Sequence, residues 1–121
     1  MHKYKINIIL LILFLIGFAL RFSSISQQLS YWNDESHAAF FARAITQTGI
    51  PQTPSGSGTG IYPIGFYYVT ALFFKLFGIT ELSGRLPSVL IGSLLIIVIF
   101  WITKKVSDTK SAFLASFLMA F

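Results

Sequence analysis

The sequence predicts an all-α, polytopic membrane protein: two complete transmembrane helices, a long external loop carrying amphipathic interfacial helices, and the start of a third span. Three observations carry this. Of the 121 residues, 55% are hydrophobic and only 11% charged, against roughly 45–50% and about 25% in an ordinary soluble domain. The mean hydropathy is +0.74. The apolar residues gather in long uncharged runs bounded by basic or aromatic side chains. Nine basic and four acidic residues are too few to clothe a water-soluble surface, which argues against a soluble globular enzyme and excludes a disordered chain.

The first span is expected over about residues 4–22. Its uncharged centre, Ile6 to Leu20, is broken only by Asn7, and Arg21 can snorkel to the headgroups so that the helix approaches the ~30 Å hydrocarbon core. The rival is a cleaved signal peptide, but Ser24-Ile25-Ser26 is a poor small-x-small cleavage site. The second span is expected over about 87–103, with Arg85 before it and Trp101, Lys104 and Lys105 closing it. A loop over 104–110 follows, and a third span begins near 111. The chain stops inside that apolar run at Met119-Ala120-Phe121, which reads as the N-terminal part of a longer protein. Two spans put Lys3, Lys5, Lys104, Lys105 and Lys110 on one side, five of the nine basic residues. The positive-inside rule makes that side cytoplasmic. The N-terminus is then cytoplasmic, residues 23–86 are external, and the protein sits in the cell (inner) membrane.

The external loop far exceeds the two to eight residues or so that join neighbouring helices, and it holds Asp34, Glu35 and Glu81, three of the four acids. Residues 34–48 predict a helix, with Ala38, Phe41, Ala42 and Ile45 at i, i+3, i+4 and i+7. Asn33 or Asp34 caps it and Gly49 stops it. The opposite face, with Ser36, Arg43 and Gln47, makes it amphipathic and suited to a membrane surface. Residues 49–60 (GIPQTPSGSGTG) have nothing that can pack and are expected to be mobile, a linker or a lid that orders on a substrate. Residues 63–78 are apolar enough to span, but Lys75 and the clustered aromatics suit a helix lying in the interface.

Asp34 and Glu35 open the 34–48 helix. A helix N-terminus favours the ionised carboxylate, while desolvation near the headgroups raises its pKa, a combination that suits a general base. Adjacent helical residues point about 100° apart, so one carboxylate is expected to do chemistry and the other to orient a partner. The plainer reading is a helix cap and a first-turn acid. His37 could complete an Asp/Glu/His metal set with them. No cofactor is implied with certainty: a divalent cation is what these residues could hold, and nothing else in the sequence supports it. Arg85 is a candidate phosphate ligand or an anchor for the second span, and Lys75 has the same two readings. The net charge of +5 includes no basic stripe that would follow a nucleic-acid backbone. With no cysteine, disulfides and thiolate metal sites are absent.

The order of these pieces resembles the start of a GT-C glycosyltransferase. It is most similar to the group related to protein O-mannosyltransferases and lipid A aminoarabinose transferases. The matching residues are Tyr31-Trp32-Asn33-Asp34-Glu35 after the first span, Gly49-Ile50-Pro51 after the amphipathic helix, and Tyr62-Pro63-Ile64-Gly65-Phe66-Tyr67-Tyr68. Ala71 to Gly78 follows, then Glu81-Leu82-Ser83-Gly84-Arg85-Leu86-Pro87-Ser88. The resemblance implies an inverting transfer of a sugar from a polyprenyl-phosphate donor to a hydroxyl of a lipid, glycan or protein acceptor outside the cytoplasm. Nucleic acid has no part in it, and the bilayer does. It gives Asp34 the role of base or acceptor-orienting acid, with Glu35 beside it, and puts Tyr62, Arg85 and His37 on the substrates. One departure stands out. Aminoarabinose-type relatives carry a Lys before a Pro pair, where this chain has Tyr62-Pro63-Ile64, so donor-phosphate contacts must come from elsewhere. The competing readings are a non-catalytic membrane protein, such as a transporter segment or small assembly subunit, and a signal-anchored surface binding module.

Overall fold

The structure, a computed structural model, describes residues 3–26, 33–56, 58 and 63–121. Five helices follow one another: α1 (Lys3–Ser26), α2 (Asn33–Thr48), α3 (Ile64–Phe77), α4 (Glu81–Val106) and α5 (Thr109–Ala120). The described residues contain no strand, and the only pairing of extended backbone among them is an isolated antiparallel bridge between Gln52 and Gly58. The fold is all-helical, as the composition and apolar runs imply. Two compact units divide the chain: residues 25–87, and residues 1–24 with 88–121.

The first unit is built on the α2–α3 pair. The apolar stripe of α2 is buried against Tyr67, Ala71 and Phe74 of α3: Ala42 is fully buried, and Ala38, Phe41 and Ile45 nearly so. Phe41 stacks on Tyr67, ring centroids 5.3 Å apart. The stripe expected to meet a membrane surface therefore meets a neighbouring helix, since α3 offers a matching i, i+3, i+4, i+7 face in Tyr67, Thr70, Ala71 and Phe74. The apolar surface left outside belongs to α3, where Tyr68, Val69, Leu72, Leu76 and Phe77 are exposed. Fourteen residues in α3 rise only ~21 Å, short of the ~30 Å core.

Glycine ends both helices. Gly49 (φ 82°) and Gly78 (φ 84°) take left-handed backbone, and their N–H groups return to Ile45 O and Phe74 O at 2.9 and 3.0 Å. Residues 49–56 of the Gly/Pro segment are more structured than their composition suggests. Gly56 N donates to Thr53 O at 2.9 Å, the Thr53 and Ser55 hydroxyls pair at 2.8 Å, and Tyr68 Oη donates to Gly49 O at 3.3 Å. Short hydroxyl side chains satisfy the turn locally, without an apolar core.

Helix α4 starts before the apolar run because Thr80 caps it. Thr80 N donates to Ser83 Oγ at 3.0 Å and Ser83 N to Thr80 Oγ1 at 3.1 Å, the reciprocal pattern of a capping box with Ser in place of Glu or Gln. Pro87, six residues on, falls inside the helix.

In the second unit Ile6 and Leu10 of α1 pack with Phe100 of α4 and Ala112 of α5, and Leu13, Ile96 and Ala120 form a second cluster. Small residues line these contacts, as in close-packed membrane helices: Gly17 lies where any Cβ would collide with Ile96 Cδ1, and Ser116 Oγ bonds Ile96 O and Ala112 O at 3.2 and 2.9 Å. Large apolar side chains stay exposed along α1 (Ile8, Leu11, Ile12, Leu15) and α4 (Leu94, Val98, Ile102). Both helices are long and apolar enough to cross a membrane. Arg21, expected to snorkel, instead donates to Gly17 O at 3.1 Å, Ala120 O at 3.2 Å and Met119 O at 2.7 Å. Asp108 opens α5 by accepting from Ser111 N at 3.0 Å; the Ser111 hydroxyl first, and this N–H after it, hold its carboxyl below the usual value of 3.8.

Candidate functional site

A cleft of about 420 Å³ in the α2–α3 unit is lined by Asp34, Glu35, His37, Ala38, Pro63, Phe66 and Tyr67. One wall is the first turn of α2, and the other is the start of α3. The acids come first on α2 because they lie beside its free N–H groups and positive dipole end. Phe66 and Tyr67 follow from the α3 face that packs on α2. The result is a mostly apolar cleft with acidic groups at one edge, the usual make-up of a small-molecule site.

The two carboxylates have different surroundings. Glu35 is gripped by Arg85: Nη2 and Nε lie 3.1 and 3.2 Å from Glu35 Oε2. Arg85 is only 4% exposed, while the Glu35 side chain is 38% exposed. Arg85 Nη1 also reaches Ile25 O at 3.4 Å. Asp34 is exposed and has no hydrogen-bond or ion-pair partner among the described residues. An unpartnered carboxylate beside a tethered one can take up a proton or accept a hydrogen bond from a ligand, while its neighbour holds the helix turn in place.

Of the residues singled out from the sequence, Asp34, Glu35 and His37 line the cleft, and Arg85 pairs with Glu35. Arg85 does so in an unexpected way. It is buried and turned onto Glu35. Because α4 begins at Glu81, Arg85 sits in its second turn and faces α2 across the unit. His37 lies near Phe41, ring centroids 6.4 Å apart. Among the described residues, no three Asp, Glu or His side chains gather as a metal ion would need. Tyr62, with Tyr31 and Trp32, lies outside the described residues. Pro63, Phe66 and Tyr67 line the cleft without having been singled out. Their signal was the aromatic run itself, whose helical face becomes clear only once α2 is packed on it.

The fold and the site together define a helical protein with two helices long and apolar enough to cross a membrane and an acidic cleft in its α2–α3 unit. Residues 62–121 match the family model described as dolichyl-phosphate-mannose-protein mannosyltransferase. The match is consistent with a protein O-mannosyltransferase-like fragment of the GT-C glycosyltransferases, the resemblance that the motif order carries. The matched stretch includes Arg85 but not Asp34, Glu35 or His37. No curated protein and no solved structure matches the chain.

Proposed function

We propose that the protein transfers a sugar from a polyprenyl-phosphate-linked donor to an acceptor hydroxyl on the external side of a cell membrane, inverting the anomeric carbon. Asp34 is the base or acceptor-orienting acid. The acceptor O–H gives its proton to the Asp34 carboxylate as the oxygen attacks the anomeric carbon. The bond from that carbon to the donor phosphate oxygen breaks, and the lipid phosphate leaves with the electron pair. The observation that carries this reading is the contrast within one helical turn: Asp34 is exposed and unpartnered at a cleft edge, while Glu35 is tied to Arg85. Arg85 acts through Glu35 and is a positioning residue, so charge on the leaving phosphate is met by another basic group. The family's description supports a dolichyl- or polyprenyl-phosphate donor. Phe66 and Tyr67 offer apolar surface to the acceptor or the sugar ring.

Asp34→Asn in the full-length protein, assayed in vesicles with polyprenyl-phosphate sugar, should lower transfer by about 10²–10⁴-fold with normal membrane insertion. Full transfer by this variant would overturn the reading. Residues 1–121 hold no cysteine, so Ser36→Cys, with any cysteine beyond them replaced, supplies a single thiol for an impermeant label. Labelling from the outer side is expected, and labelling only after permeabilisation would remove Asp34 from the proposed reaction.

A further inference from the structure

In the second unit, the N-terminal end of α1, the C-terminal end of α4 and the start of α5 share one end, since Ile6 and Leu10 pack with Phe100 and Ala112. That end carries Lys5, Lys104, Lys105 and Lys110 against a single acid, Asp108, whose carboxylate is taken by Ser111 N. Between α1 and α4 at this level lies a groove of about 380 Å³ lined by Ile6, Asn7, Trp101 and Lys104. Lys104 Nζ stands over Trp101, 5.1 Å from the ring centroid, and 5.7 Å from that of Phe100. Among the described residues no carboxylate pairs with it. The two rings fix the ammonium in place without cancelling its charge.

We propose that this groove binds the headgroup of an anionic glycerophospholipid. Its donors suit a phosphodiester: three on the Lys104 ammonium, two on the Asn7 amide and one on the Trp101 indole. Its surroundings suit a lipid rather than a free anion, because one turn along each helix from its lining lie exposed apolar side chains, Leu11 from Asn7 on α1 and Val98 from Trp101 on α4, along which acyl chains can lie. An anionic headgroup is favoured over a zwitterionic one. The cationic part of phosphatidylcholine would meet Lys105 and Lys110, whereas the net negative charge of phosphatidylglycerol is drawn to this end. The proposal does not depend on the catalytic reading of Asp34.

The test is native mass spectrometry of the full-length protein released from nanodiscs containing equal parts phosphatidylglycerol and phosphatidylcholine. Retention of phosphatidylglycerol over phosphatidylcholine is expected. Lys104→Ala should lower that preference about fivefold, Lys104→Arg should keep it, and Lys75→Ala, in the other unit, should leave it unchanged. Equal retention of the two lipids by the unaltered protein would overturn the proposal and needs no variant to fold. So would an effect of Lys75→Ala as large as that of Lys104→Ala. If millimolar inorganic phosphate displaces the retained lipid fully, the groove is a free-anion site and the lipid assignment falls.

Discussion

The tether between Glu35 and Arg85 makes a prediction that runs against the intuition that removing the buried residue does the greater harm. At 3.1 Å two unit charges attract by about 5 kcal/mol at an effective dielectric of ~20 and about 1 kcal/mol in bulk water. The Glu35 carboxylate is 38% exposed and the guanidinium 4% exposed, so the pair lies between these limits. Once the lost hydration of the guanidinium is set against the attraction, a coupling of about 2 kcal/mol remains. The two single variants should differ. Glu35→Ala takes the only charge partner shown from a buried cation and should cost about 3 kcal/mol. Arg85→Met leaves a carboxylate that water can reach, and a flexible apolar chain to fill the space, and should cost about 1 kcal/mol. The double variant should cost about 2 kcal/mol, less than the sum of the singles. Denaturant unfolding in mild detergent, followed by near-UV ellipticity from the Phe41–Tyr67 stack, measures all four corners of this cycle. Strict additivity, or Arg85→Met proving the worse single variant, would refute the reasoning. In the transfer assay both singles should lower turnover less than Asp34→Asn does, because they loosen the turn that carries the proposed base without removing it.

Other consequences follow from particular contacts. Phe41→Ala removes a buried ring from the α2–α3 interface and should destabilise that unit by about 3 kcal/mol, read by the same unfolding curve; a cost under about 1 kcal/mol would mean the two helices are held together by something else. Gly17→Leu should destabilise by about 2 kcal/mol because Ile96 occupies the space. Gly65→Ala, with nothing within 4 Å of the added methyl, should stabilise by about 0.5 kcal/mol, so equal effects at the two glycines would contradict the packing described. Asp108→Ala should lower the helicity of α5, while Asp108→Asn should preserve it. The folded carboxyl of Asp108 lies below its usual 3.8. Its contribution is therefore complete above that pH and is lost as pH falls through the lower folded value; a circular-dichroism titration that lost α5 helicity at neutral pH would count against this cap.

Much of this protein was legible in the order of its residues. Uncharged apolar runs over Ile6 to Leu20 and Pro87 to Thr103 dictate helices, because backbone groups in an apolar medium must satisfy one another within the segment. The spacing of Ala38, Phe41, Ala42 and Ile45 dictates a third helix with one apolar face, and Asp34 at its start follows from cap chemistry alone. The family's motif order was equally a property of sequence. What covers a face was not. The stripe on α2 is the same pattern whether a membrane or another helix lies against it, and only the packed structure shows Tyr67, Ala71 and Phe74 there. The same is true of the arginines. A guanidinium can snorkel, bind a phosphate or pair with an acid, and its long side chain lets a partner distant in sequence decide. Arg21 turned to the carbonyls of Met119 and Ala120, and Arg85 to a carboxylate 50 residues away. Local periodicity settles which residues form helices because those hydrogen bonds are four residues long; which charges meet depends on contacts that no local pattern encodes.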